Sequence, residues 1–290
     1  MGPVRAQLDA TRLHFQHGPI DLVIEATGER DAVAAAYRRA WERFQDVLQR
    51  LVGELPALRS HVDRAQGVKG PVARRMLAAC LPYREVFITP MAAVAGAVAD
   101  EIMTALADGE GIRRAYVNNG GDIALHLEPG ERFAVGLVAD PSRALRHGHA
   151  PALDGSFEIL AAQPIRGIAT SGWRGRSFSL GIADSVTVLA RDAAAADAAA
   201  TMIANAVDVD DPAVVRRAAD ELADDTDLGR LPVTVAVGRL PDEAVECALD
   251  AGARRARALL TEGLIACAAL SLQSRARVVG GPSAGLRAAA

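Results

Sequence analysis

Aromatic residues make up only 4% of this 290-residue chain, and cysteine occurs three times. So few rings argue against a stacking surface for single-stranded nucleic acid. A formal net charge of −4 argues against the basic face that a duplex partner requires. Cys80, Cys247 and Cys267 are scattered and odd in number, and no CxxC is present, so no disulfide framework is readable. The opening residues, MGPVRAQLDATRL, lack the apolar core of a secretory signal. Ala6 stands where a myristoylation motif carries Ser or Thr. No apolar run reaches the roughly 20 residues that cross a bilayer. GxGxxG, Walker A and HExxH are all missing. His147-Gly148-His149 reads as part of a polar loop rather than a metal pair. These absences together lead to the expectation of a cytoplasmic protein without a nucleic-acid or membrane partner. They leave a homodimer open.

Half of the chain is hydrophobic, enough for a sizeable core. Residues 12–28 read as two strands joined by the turn His17-Gly18-Pro19. Between Asp31 and Leu51 the apolar residues fall at helical spacing, which predicts one amphipathic helix. A short helix is expected over 72–80, and a small-residue helix after Thr89, with Pro90 at its first position and Gly109 and Gly111 at its end. Strands are expected at 113–118, 123–128, 132–138 and 156–162, with turns at Pro129-Gly130 and Asp140-Pro141. Residues 167–184 read as a Gly- and Ser-rich loop. Strand-then-helix follows at 184–207 and again at 231–260, with a short helix over 213–223 and a strand over 263–272. The echo of VTVLAR and VTVAVGR suits either an internal duplication or two ordinary strand–helix units. The expected class is α+β, with mixed, largely antiparallel sheets flanked by helices. One domain over 1–280, built of two interleaved and closely joined subdomains, would be followed by a loose tail over 281–290.

Three short segments could carry chemistry. Asn119, Gly120, Gly121 and Asp122 suit a plain hairpin turn, in which Asn and Gly supply positive φ. Adjacent glycines also let backbone amides approach an anion. Thr170, Ser171 and Gly172 could contact a phosphate or ribose, or form an ordinary loop. Asp197 and Thr201 lie i, i+4 on an alanine-rich helix, so both oxygens share one face. Hard oxygen donors of this kind suit Mg²⁺; the alternative is an Asp and a Thr that merely solvate the helix edge.

Taken in order, these segments resemble the ApbE-like family, whose best-known members are flavin transferases that attach FMN from FAD to a threonine of a target protein. The resemblance runs from the helix carrying Gly96 and Asp100, through Asn119-Gly-Gly-Asp-Ile and Ala169-Thr-Ser-Gly, to Ser185-Val-Thr-Val and Asp197-Ala-Ala-Ala-Thr. It implies an ApbE-like fold. It also implies a dinucleotide ligand, FAD or FMN, contacted by 119–123 and 169–172, and Mg²⁺ on Asp197 and Thr201 with a backbone carbonyl from near Val94. The chain departs from the family at two places. Ala95 stands where family transferases carry Lys, and 177–188, SFSLGIADSVTV, contains none of their His-x-x-Asp-Pro-x-Thr-Gly segment. No catalytic residue is therefore assigned; Asp122 and Asp184 are candidates by position only. The resemblance thus leads to the expectation of a divergent offshoot that binds a flavin or other phosphate-bearing cofactor and is either a Mg²⁺-dependent transferase or one of two alternatives. One is a cofactor-biosynthesis enzyme of C1 metabolism, linked to tetrahydromethanopterin; the other is a non-catalytic flavin- or nucleotide-binding protein.

Overall fold

The computed structural model describes residues 2–137, 155–281 and 287–288. The expected turn at Asp140-Pro141, the His147–His149 loop and most of the 281–290 tail lie outside the described residues, as does residue 138 of the strand expected over 132–138. The protein is α+β, and every strand pair whose register is defined is antiparallel.

Two compact units form, with the chain passing between them more than once. The first comprises Met1–Arg132, Leu160–Ala169 and Ala190–Ala198, and the second the remainder. In the first unit, strands β1 (Val4–Gln7), β2 (Arg12–His17), β3 (Ile20–Gly28), β4 (Ile112–Asn119) and β5 (Asp122–Leu127) pair in that order. Against them lie helices α1 (Arg30–Phe44), α2 (Val47–Leu58), α3 (Pro71–Cys80) and α4 (Val94–Leu106). Burial alternates along β3, so Leu22, Ile24 and Ala26 face inward. Helix α4 packs on β4 and β5, and most of it is buried. The 18-residue segment Pro90–Ala107 has the length and mean hydropathy, 1.3, of a weak membrane span. With 61% of it buried inside the protein, it is accounted for as a core helix.

The second unit contains β6 (Arg132–Leu137, except its first residue), β7 (Gly155–Leu160, except its last) and β14 (Arg287–Ala288), in the order β14-β7-β6. It also contains the antiparallel pair β10 (Val214–Ala218) and β11 (Pro232–Val237). Strands β9 (Ser185–Ala190), β12 (Cys267–Leu272) and β13 (Arg275–Gly280) pair antiparallel in that order, and α6 (Asp242–Thr261) packs on β12 and β13. The last residue of β9, Ala190, belongs to the first unit, and β8 (Gly167–Ser171) and α5 (Ala193–Ala206) are divided more evenly between the two by sequence.

Several expectations are corrected. The single helix expected from Asp31 to Leu51 is two, broken at Gln45 and Asp46. Asp46 has φ −110°, and its carboxylate lies between Arg43 (2.7 Å) and Arg50 (2.5 Å). The apolar stripe runs on across the break, since Phe44, Val47 and Leu51 are all buried, so periodicity alone could not show it. The helix expected over 213–223 is instead strand β10 followed by a short 3₁₀ turn, because β11 supplies its ladder and tertiary pairing overrides propensity. Part of the loop expected over 167–184 is strand β8, where Ile168 pairs with Ile123 and Gly167 with Ala124. Strands β1 and β13 also went unread, and the strand expected over 263–272 begins only at Cys267. Thr89 precedes a 3₁₀ turn, Pro90–Ala93, and its side chain makes no capping bond.

Candidate functional site

The alternation that buries one face of β4 and β5 also places two polar side chains there. Asn119 continues the inward series Ala115 and Val117, and its register partner across the hairpin is Asp122. Both are buried, at the strand ends on the side covered by α4. Gly120 and Gly121 form a two-residue hairpin loop with φ of +65° and +114°, conformations that an L side chain resists. The Gly121 amide donates to Asn118 Oδ1 at 2.8 Å, and a methyl at Gly121 would meet nothing within 4 Å. The turn reading of 119–122 therefore holds, and one side of the loop is open.

Helices α4 and α5 begin beside each other, and each leaves amides that its own turn cannot satisfy. Asp197, one turn into α5, accepts from the Gly96 amide at 3.0 Å and also from the Ala95 amide. Asp100, on α4, accepts from Ala193 at 3.0 Å and Ala194 at 2.8 Å. Asp192 takes the next α5 amide, Ala195, at 2.7 Å, which is the geometry of an N-cap side chain. Each helix thus lends a carboxylate to the start of the other. The sequence held a signal for this: an Asp preceding an alanine run marks a helix start. What it did not show was the cross-pairing.

This crossing requires Gly96. A methyl on Gly96 would lie 2.5 Å from the carbonyl carbon of Ala193, closer still to its oxygen, and 2.8 Å from the Ala194 nitrogen. The Ala95 carbonyl accepts from Asn119 Nδ2 at 3.1 Å. The segment near Val94 therefore turns its amides toward Asp197 and one carbonyl toward Asn119.

Burial, followed by repulsion from Asp122, pushes the Asp197 carboxyl well above the ordinary carboxylate range; the Gly96 and Ala95 amides oppose the shift. The residue keeps part of its surface open to solvent, but its carboxylate is engaged by the Gly96 and Ala95 amides, so it does more than solvate the helix edge. Burial also pushes Asp100 up to about 6, against its two amide bonds. The buried Cys80 thiol donates to the Thr89 carbonyl at 3.4 Å, and burial together with Asp197 holds it protonated. Among the described residues, no group of three or more His, Cys, Asp or Glu side chains is arranged to hold a metal. The acidic pair here is Asp122 with Asp197.

The other expected residues belong to the second unit. Thr170 and Ser171 end β8, and the Thr170 hydroxyl lies 2.9 Å from that of Thr187 on β9. Gly172 is packed so that a methyl there would stand 2.5 Å from the Asp184 carbonyl oxygen. Thr201 lies on α5, partly exposed. Asp184 is engaged on both carboxylate oxygens. Oδ1 accepts from Trp173 Nε1 at 3.3 Å and Arg174 Nε at 3.1 Å, and Oδ2 from the Gln273 amide at 2.7 Å.

The chain is thus an α+β protein whose first unit sets two carboxylates beside an open glycine hairpin. A family model described as AbpE bacteria matches residues 5–279, and the chain belongs to that family, as a divergent ApbE-like member. It is 39% identical over 141 residues to a UPF0280 protein of Methanothrix thermoacetophila, covering 48% of this chain and 54% of that one. It is 34% identical over 210 residues to the UPF0280 protein MK0206 of Methanopyrus kandleri, covering 71% and 78%. The chain thus spans about half the length of the first relative and over three quarters of the second. Among solved structures, the flavin transferase ApbE from Vibrio cholerae, in a mutant form, aligns over 98% of both chains with a TM-score of 0.45 and 13% identity.

Proposed function

We propose that this protein binds a flavin or another phosphate-bearing cofactor together with Mg²⁺, in a cytoplasmic setting. The observation that carries the reading is the carboxylate pair Asp122 and Asp197, mutually repelling and placed beside the open Gly120-Gly121 loop. Two like charges brought together in a partly desolvated place need a compensating cation or a proton. Magnesium suits such a place because it binds through one or two carboxylates, keeping other positions for water and substrate phosphate. Asp122 and Asp197 would hold it, with Thr201 added by its i, i+4 spacing on α5. Bound there, the ion would offset phosphate charge and polarise a pyrophosphate bond.

The chain's own residues have separate roles. The hairpin backbone at Gly120 is proposed to face the ligand, with the Gly121 amide held by Asn118, and Asn119 holds the Ala95 carbonyl that shapes the same wall. Thr170, Ser171 and Gly172 enter the proposal through the family resemblance. The test is calorimetry of the purified chain with FAD and FMN, with and without Mg²⁺. Magnesium-dependent binding that Asp197→Asn removes is the expected result. No binding of either flavin would refute the reading.

A second reading is favoured by the same geometry. Asp197 already accepts two amides, and Ala95 stands where the resemblance expects a lysine. On this reading the protein binds the cofactor without acting on it. Turnover of FAD, followed as release of AMP by chromatography, separates the two.

A further inference from the structure

The segment after Ser171 is Gly-Trp-Arg-Gly-Arg, and residues 170–183 carry two arginines and no acidic residue. Residues Arg174 to Phe178 are exposed. An exposed glycine-bearing loop is ordinarily left to solvent, since fixing Arg and Trp side chains costs conformational entropy. Here they are fixed. The Arg174 guanidinium lies over the Trp173 ring, 5.0 Å from its centroid. Both side chains donate to one Asp184 oxygen. The Trp173 amide donates to the Ala183 carbonyl at 3.0 Å.

Asp184 is itself anchored from the other side. Its second oxygen takes the Gln273 amide, and its own amide donates to the Ser271 carbonyl at 2.9 Å. Gln273 and Ser274 form the β12–β13 turn at φ of +45° and +68°, an uncommon conformation for residues other than glycine. The Gln273 side chain is fixed too, accepting from the Leu240 amide at 3.1 Å and donating to the Gly238 carbonyl at 2.6 Å.

We infer that Asp184 is a positioning residue, and that it holds Trp173 and Arg174 as a preorganised arm that recognises a ligand carrying both an aromatic ring and a phosphate. The inference rests on the ligand class proposed above. A guanidinium held over the indole and partly exposed suits phosphate oxygens, which arginine engages through a planar fork of donors. An indole beside it offers a surface for a ring system. A carboxylate with three donors on it is poorly disposed to act as a base, so the candidate role of Asp184 becomes one of holding. Fixing the arm before binding removes an ordering cost from the binding step.

The first test needs no ligand. The chain has two tryptophans, so Trp41→Phe leaves Trp173 as the sole reporter. In that background Asp184→Ala is expected to red-shift Trp173 emission, and an unshifted spectrum overturns the holding role. Asp184→Asn, which preserves size, serves if the alanine variant does not fold, and is expected to shift emission in the same direction. The second test is calorimetry with FMN and with riboflavin, which lacks the phosphate. Arg174→Ala is expected to weaken FMN about tenfold or more, the loss of a charge-assisted hydrogen bond, and to leave riboflavin nearly unchanged. Trp173→Ala is expected to weaken both. Adding Asp184→Ala to the Trp173→Ala, Arg174→Ala pair is expected to cost nothing further, because a positioning residue acts through what it holds. Equal weakening of FMN and riboflavin by Arg174→Ala, or an additive loss from Asp184→Ala, overturns the arm. If the wild-type chain binds neither flavin, the proposed function falls and the arm with it. If it binds both and Arg174→Ala changes neither, only the arm falls.

Discussion

Replacing Gly96 by alanine gives the clearest test of the clasp between α4 and α5. Propensity alone says that the change should help, since Ala in a helix interior is favoured over Gly by about 1 kcal/mol. The structure says the reverse. The added methyl would meet the Ala193 carbonyl carbon at 2.5 Å and the Ala194 nitrogen at 2.8 Å, where ordinary contact begins at 3.4 Å. Both opposing atoms are backbone, at the start of a helix whose amides are tied to Asp100, so no side chain can swing aside. Overpacking of this kind costs typically 1–3 kcal/mol, and a backbone clash belongs at the upper end, about 3 kcal/mol. Setting the propensity gain against it leaves a net loss of about 2 kcal/mol. For a chain of this size that corresponds to roughly 4–8 °C in Tm. Gly53→Ala is the matched control. Gly53 lies inside α2, exposed, and a methyl there meets nothing within 4 Å. It should stabilise by a little under 1 kcal/mol. The assay is thermal unfolding of both variants beside the wild type. Opposite signs are expected, and a Gly96→Ala variant as stable as the wild type would refute the close helix crossing on which the Asp197 geometry depends.

Other predictions follow from the same residues. Asp100 is raised to about 6 in the folded protein, so between about pH 4 and pH 6 the folded state holds a proton that the unfolded chain has lost. Stability should therefore fall as pH rises through that window, by on the order of 3 kcal/mol from this group, and Asp100→Asn should flatten the decline in urea titrations at pH 4, 5, 6 and 7. A steady stability across that range in the wild type would contradict it. Magnesium at about 100 times its dissociation constant should raise the unfolding free energy by about 2.7 kcal/mol, and Asp197→Asn should abolish the rise in differential scanning calorimetry. In thiol titration of the native protein only Cys247 should react quickly, since it is exposed. Cys80 and Cys267 are buried, and burial pushes Cys267 up to about 11. Rapid labelling of all three would show that the core is open.

The sequence showed in advance those features that depend on a period or a local rule. The alternation along 20–28, the Asn-Gly-Gly-Asp hairpin and the helix over 71–80 each follow from residues within a few positions of one another. The three candidate segments were visible because their residue types are unusual in an apolar chain. Features that depend on a partner elsewhere were not visible. Strand β10 looked helical because its ladder comes from β11, and β8 looked like a loop because it is paired with residues over forty positions away. The break at Asp46 left the apolar stripe intact and so left no periodic trace.

The division is the same at the candidate site. By itself the sequence determined that Asp197 sits in an alanine helix, that Gly96 has no side chain and that Asp122 follows two glycines. Only the tertiary structure decided that Asp197 meets the amides of Ala95 and Gly96, that Asp100 returns the bond to α5, and that Asp122 stands close enough to raise the Asp197 carboxyl. The reason is physical. Side-chain period and turn chemistry act over one or two turns of chain, whereas the ionisation of a buried carboxyl depends on burial and on charges that reach it through space. Residues 75 to 101 positions apart in sequence become neighbours only when the helices have packed.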